Sequence, residues 1–102
     1  MKHIAVTHLK SLKAKSVGLL GANHAHPVYF TTRWGIHTFG LLFPIDVLVL
    51  DKDNKVAHVA HQLKPNAVFV WNPKHFHVIE LPAGEIQKMD IVKGDTISLL
   101  FK

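Results

Sequence analysis

The sequence predicts an α+β fold that is mostly β: an antiparallel, barrel-like sheet of about six or seven strands with one or two short helices. Three observations carry this expectation. Short β-branched and aromatic runs recur along the chain, as in Val28-Tyr29-Phe30-Thr31-Thr32 and Val47-Leu48-Val49-Leu50. Turn-forming groups, Asp51-Lys52-Asp53-Asn54, Asn72-Pro73-Lys74 and Lys93-Gly94-Asp95, separate those runs. Apolar residues at helical spacing occur only in brief stretches.

Each element follows from local chemistry. Residues 2–6 form a short first strand. Leu9, Leu12, Ser16, Leu19 and Leu20 approximate helical spacing, and Gly21 is a plausible stop for a helix over 9–20. After Pro27, residues 28–32 read as a strand. Residues 45–51 are apolar on both faces apart from Asp46, the pattern of a strand at the centre of a sheet. The turn at 51–54 returns the chain as a strand over 55–62, so a β-hairpin is expected there. Residues 67–71 and 76–81 are expected to pair across Asn72-Pro73-Lys74. Pro82-Ala83-Gly84 ends the second of these, and 85–89 makes about a turn of helix with Ile86 and Met89 inward. Lys93-Gly94-Asp95 launches a last strand over 96–101, with Ile97, Leu99 and Phe101 on one face.

Composition narrows the function classes. At 102 residues the chain is expected to be a single domain over 1–102, long enough for one modest core. The absence of cysteine excludes disulfides, thiolate nucleophiles, zinc ribbons and iron–sulfur clusters. Gly40, Pro44 and Asp46 break the longest apolar run, which is too short and too polar to span a bilayer, so no membrane role is expected. No apolar signal-peptide core follows Met1-Lys2-His3, and the expected compartment is the cytoplasm. The net charge of +5 rests on eleven dispersed lysines and one arginine. A nucleic-acid binder more often shows a dense basic stripe with several arginines, so nucleic acid is not the expected partner.

Polar residues set inside apolar sequence are the candidate site. Asp46 sits mid-strand on the face of Leu48 and Leu50, where a carboxyl must be paired, hydrogen-bonded or protonated. It is either a ligand-contacting or acid/base group, or an acceptor for backbone N–H groups of the loop around 35–40. His37 and Thr38 follow Trp34-Gly35 in a segment with two glycines and no clear period, the kind of loop that carries binding groups. His37 could pair with Asp46 nine residues on; Thr38 has no activating base and is not expected to be a nucleophile. Glu80 shares a strand face with Phe76 and Val78. It is either a second carboxylate in a pocket with Asp46, or a salt-bridge partner of Arg33 or a lysine. Trp34 and Tyr29 could wall a pocket, whereas Trp71 and Phe69 read as core. His24-x-His26 and His75-x-His77 each put two imidazoles on one face of an extended backbone, and His58 and His61 fall on opposite faces. Nothing in the spacing brings three histidines together, so surface histidines rather than a metal site are expected, and no cofactor is implied.

Several ordered blocks resemble one known family. Ser16-Val17-Gly18-Leu19-Leu20-Gly21 is similar to its early arginine-glycine-leucine-methionine segment, with Val17 where arginine is usual. Gly35-Ile36-His37-Thr38-Phe39-Gly40 and Phe43-Pro44-Ile45-Asp46-Val47 match its central motif, with Leu41 where methionine is common. Glu80-Leu81-Pro82-Ala83-Gly84 and Ile91-Val92-Lys93-Gly94-Asp95 resemble its closing block. The chain thus resembles the domain-of-unknown-function 192 family over roughly residues 12 to 100. Relatives in that family often carry an export signal, from which this chain departs, and the family brings no established activity. Three readings follow. The favoured one is a small soluble binding module whose shallow polar pocket, around the His37 loop, Asp46 and Glu80 with Trp34 and Arg33, takes a small polar ligand. The second is a hydrolytic or proton-transfer enzyme using His37 with a carboxylate. The third is a structural or interaction domain with a protein partner.

Overall fold

The computed structural model describes residues 1–9, 25–33 and 35–102. Among these, β1 (Lys2–His8), β2 (Val28–Thr31), β3 (Gly35–His37), β4 (Ile45–Leu50), β5 (Val56–Leu63), β6 (Val68–Val70), β7 (His77–Pro82) and β8 (Ile97–Phe101) are strands, and α1 (Glu85–Lys88) is a short helix. The expected helix over 9–20 lies, from residue 10 on, outside the described residues.

The mostly β, barrel-like architecture is as the sequence predicts. Six strands form one sheet in the order β5-β4-β7-β2-β1-β8, and β3 pairs with β6 as a separate two-stranded ribbon. β4, apolar apart from Asp46, lies between β5 and β7 and is fully buried. The sheet curls until its two edges meet: Lys55 bridges Thr96, Val56 N–H donates to the Asp95 carbonyl (2.8 Å), and Ile97 N–H donates to the Asn54 carbonyl (2.8 Å). That contact protects edge groups that would otherwise pair with another chain.

Two differences concern connectivity. The strands expected at 67–71 and 76–81 do not pair with one another; β6 pairs with β3, while β7 inserts between β4 and β2. Local composition identifies strands, but pairing is decided by which apolar faces can be buried together. β1 also runs parallel to both β2 and β8, in a sheet whose other pairings are antiparallel. The segment read as an irregular loop at 35–40 starts as a strand, because Gly35 lies against the backbone of β6. A Cβ at Gly35 (φ +145°) would sit 2.6 Å from the Phe69 carbonyl oxygen, which only glycine avoids.

Alternation along the strands divides the core in two. Inside the curl, Ile4, Val6, Tyr29, Leu48, Leu50, Ile79, Leu81 and Ile97 pack with Ile86 of α1 and Ile91. Met89 packs against this cluster, so the short helix presents the residues expected. On the outer face, Val28, Phe30, Ile45, Val47, Val49 and Val78 pack with Leu41 and Trp71, under Ile36 of β3 and Phe69 of β6. Phe69 and Trp71 are therefore core residues, as their shared face suggests, with ring centroids 5.4 Å apart.

Candidate functional site

Buried polar side chains are costly unless their hydrogen bonds are met. Among the described residues three are buried: Thr38, Asp46 and Glu80. Their surroundings separate them into two kinds.

Asp46 is saturated by backbone. Between Ile45 and Val47 the register of β5 jumps from Leu63 to Ala60, so two β5 residues oppose Asp46 in a β-bulge. Gln62, in that bulge, has φ +49° and an N–H out of line with the ladder. The Asp46 Oδ1 accepts that N–H at 2.8 Å, and Oδ2 accepts the N–H of Ile86 at 2.9 Å. Ile86 lies in the first turn of α1, whose cap Gly84 (φ +91°) offers no side-chain acceptor. Asp46 therefore does from the sheet what an N-cap residue does locally. The expected donors around residues 35–40 are not its partners, and neither is His37.

Thr38 is also saturated. Its hydroxyl donates to the Lys64 carbonyl (2.6 Å) and accepts the Ala67 N–H (2.8 Å), while its own N–H donates to the Ala67 carbonyl (2.9 Å). It fastens the end of β3 to the turn that leads into β6.

Glu80 differs. It lies on β7 between Val28 of β2 and Val47 of β4, 5% exposed, on the outer face with Val78. No hydrogen-bond partner reaches its carboxyl among the described residues. No fully buried side-chain nitrogen or oxygen among them lacks a partner, so the carboxyl keeps a narrow opening to solvent. Burial pushes it up to about 7, within reach of neutral pH.

The register rules out the expected common pocket of Asp46 and Glu80. Asp46 pairs with Leu81, and Val47 pairs with Glu80, so the two carboxyls point to opposite faces of the sheet. Arg33 is not the partner of Glu80 either. Its guanidinium lies 4.3 Å from the centroid of the Phe76 ring and donates to the Pro73 carbonyl (3.3 Å). Since Val28 opposes Glu80, Arg33 is five residues farther along the chain, roughly 16 Å if extended. His37 is exposed; its Nδ1 accepts the Phe39 N–H (3.3 Å) and its ring stacks on Phe39 at 5.2 Å. Trp34 lies outside the described residues.

Histidines also separate. His75 meets His58, with centroids 5.7 Å apart, while His77 accepts or donates a 2.5 Å hydrogen bond with the Tyr29 hydroxyl. Among the described residues no three His, Asp or Glu side chains gather as a metal site would need, and no helix is long and apolar enough to cross a membrane. The Tyr29–His77 pair joins residues 48 apart, and only the strand register reveals it.

The family model of DUF192, described as uncharacterized ACR, matches residues 4–99. The chain belongs to the DUF192 family. No curated protein matches it. Among solved structures, a protein of unknown function from Novosphingobium aromaticivorans has a TM-score of 0.79 at 15% identity, covering 89% of this chain and 71% of that one. A Sinorhizobium meliloti protein provisionally described as a transcription regulator has a TM-score of 0.80 at 19% identity, covering 89% and 78%. At such identities the likeness shows a shared fold. The matched stretch contains Thr38, Asp46 and Glu80 alike, but in this chain the first two are held by backbone hydrogen bonds.

Proposed function

We propose that this chain is a small binding module that receives a polar ligand at Glu80. The observation that carries the reading is the contrast among the buried polar groups. Thr38 and Asp46 are hydrogen-bonded within the fold, whereas Glu80 has a narrow opening and no partner among the described residues. A side chain of that kind costs stability, and its retention is accounted for by a group that hydrogen-bonds to it from outside. A small ligand with an N–H or O–H donor fits the carboxylate form. His37 and Arg33 stand at the surface and are at most peripheral to this contact.

A second reading, proton transfer, is supported by the same carboxyl being held at about 7, where an acid/base group works well at neutral pH. In that reading Glu80, not His37, carries the proton.

A thermal-shift panel of small acids, amides, sugars, nucleotides and divalent metals tests the binding reading. A ligand at about a hundred times its Kd stabilises the fold by roughly 2.7 kcal/mol, an increase in Tm of about 10 °C or more in a domain of this size. The expected result is a hit that disappears in Glu80→Gln and survives in Thr38→Ser, which keeps the hydroxyl. A flat panel, or a panel whose every hit Glu80→Gln retains, counts against it. Conversion of the hit to product selects the second reading.

A further inference from the structure

The end of the curled sheet carries chemistry that Glu80 does not use. Here the 51–54 turn, the start of β7 and strand β8 surround a cleft of about 530 Å³, lined in part by Tyr29, Asn54, His77, Ser98 and Phe101. The cleft is broadly open to solvent, and barrel mouths are among the places where small ligands bind. Tyr29 belongs to the inner cluster, so the cleft is on the side of the sheet away from Glu80.

Two features define what would fit. The first is aromatic. Phe101 is 57% exposed, its ring standing at 65° to Tyr29 with centroids 5.7 Å apart, and Tyr29 in turn lies nearly parallel to His77 (14°, 5.9 Å). An exposed phenyl beside a half-open aromatic wall offers a stacking surface for a flat ring. The second is a directed donor. Burial holds the Tyr29 phenol above its ordinary pKa and the His77 imidazole below its own, so both are neutral at neutral pH. The hydroxyl and Nδ1 share a 2.5 Å hydrogen bond, and when the phenol is its donor the ring proton sits on Nε2. No acceptor for Nε2 is present among the described residues. In that arrangement Nε2–H is a donor open to a ligand, while the phenol oxygen keeps a lone pair that can accept. The chain's net charge of +5 disfavours an organic cation despite Asp53 at the rim.

We propose that this mouth is a second, independent site for a small, neutral, planar ring bearing a hydrogen-bond acceptor, stacked against Phe101 and accepting from His77 Nε2. It does not rest on the reading of Glu80.

N-methyl-2-pyridone, planar with a carbonyl acceptor, is the direct probe. N-methyl-2-piperidone keeps the acceptor without the flat ring, and phenyltrimethylammonium tests a cation. Titrations followed by NMR of the labelled full chain are expected to show saturable shifts at Phe101, Tyr29 and His77 Nε2 with the pyridone. Binding should weaken at least tenfold in Phe101→Ala, whose side chain is exposed enough to remove without unfolding, and remain unchanged in Glu80→Gln. The proposal is overturned if the pyridone causes no saturable shift, if the piperidone binds equally well, if the cation is preferred, or if Phe101→Ala leaves binding unaffected.

Discussion

Replacing Glu80 by glutamine is expected to stabilise the protein by about 3 kcal/mol at pH 8 and by almost nothing at pH 4. In the folded chain the carboxyl titrates at about 7 instead of at its ordinary 4.5, because ionising it in the outer apolar cluster is costly. Below pH 4.5 both the folded and the unfolded chain hold the proton, and the group is neutral to stability. Between 4.5 and 7 the unfolded chain ionises while the folded chain does not, so stability falls as pH rises. Above 7 both are ionised and the loss levels off. Glutamine imitates the protonated carboxyl and removes this window. Melting curves from pH 4 to 8 should therefore diverge, with the variant melting more than about 10 °C higher at the alkaline end. Parallel curves would mean that Glu80 is paired or solvated in the folded state.

Asp46→Ala is expected to do the opposite, costing about 3–5 kcal/mol at pH 7. Two N–H groups, of Gln62 in the bulge and of Ile86 in α1, lose their acceptor together, and the second is deeply buried. Asp46→Asn keeps one carbonyl oxygen but turns an amide donor toward the other N–H, and should recover less than half of that loss. His37→Ala, at an exposed position with one long hydrogen bond, should change stability by no more than about 0.5 kcal/mol. Urea unfolding of the three variants measures this directly. A mild Asp46→Ala, or a severe His37→Ala, would reverse the roles assigned to the two residues.

These contrasted effects show what the sequence made legible. The apolar run of β4, the Asp51–Asn54 turn chemistry and the faces of Asp46 and Glu80 within their own strands are local properties, and each is as the residues predict. What alternation within a strand cannot supply is the register between strands. That register places Asp46 opposite Leu81 and Glu80 opposite Val47, dividing one expected pocket between two faces. The bulge at Gln62 was equally hidden, since φ +49° at a glutamine carries no signature in composition. The pairing of β6 with β3 depends on Gly35 admitting a neighbouring backbone, and the Tyr29–His77 contact depends on β2 lying beside β7. The family resemblance pointed to the segments of Thr38, Asp46 and Glu80 without dividing architecture from site. Hydrogen-bond accounting makes that division: the Asp46 carboxyl is saturated by backbone, whereas that of Glu80 has no partner among the described residues, which is the support for the proposed site.

The measurement that tests this division most directly is the titration of the Glu80 side-chain carboxyl by ¹³C NMR in the wild-type chain. A midpoint at about 7 is predicted, as burial without a partner among the described residues requires. A midpoint at or below the ordinary glutamate value would show a carboxylate already satisfied within the protein, and would contradict the assignment of Glu80 as the ligand-facing group.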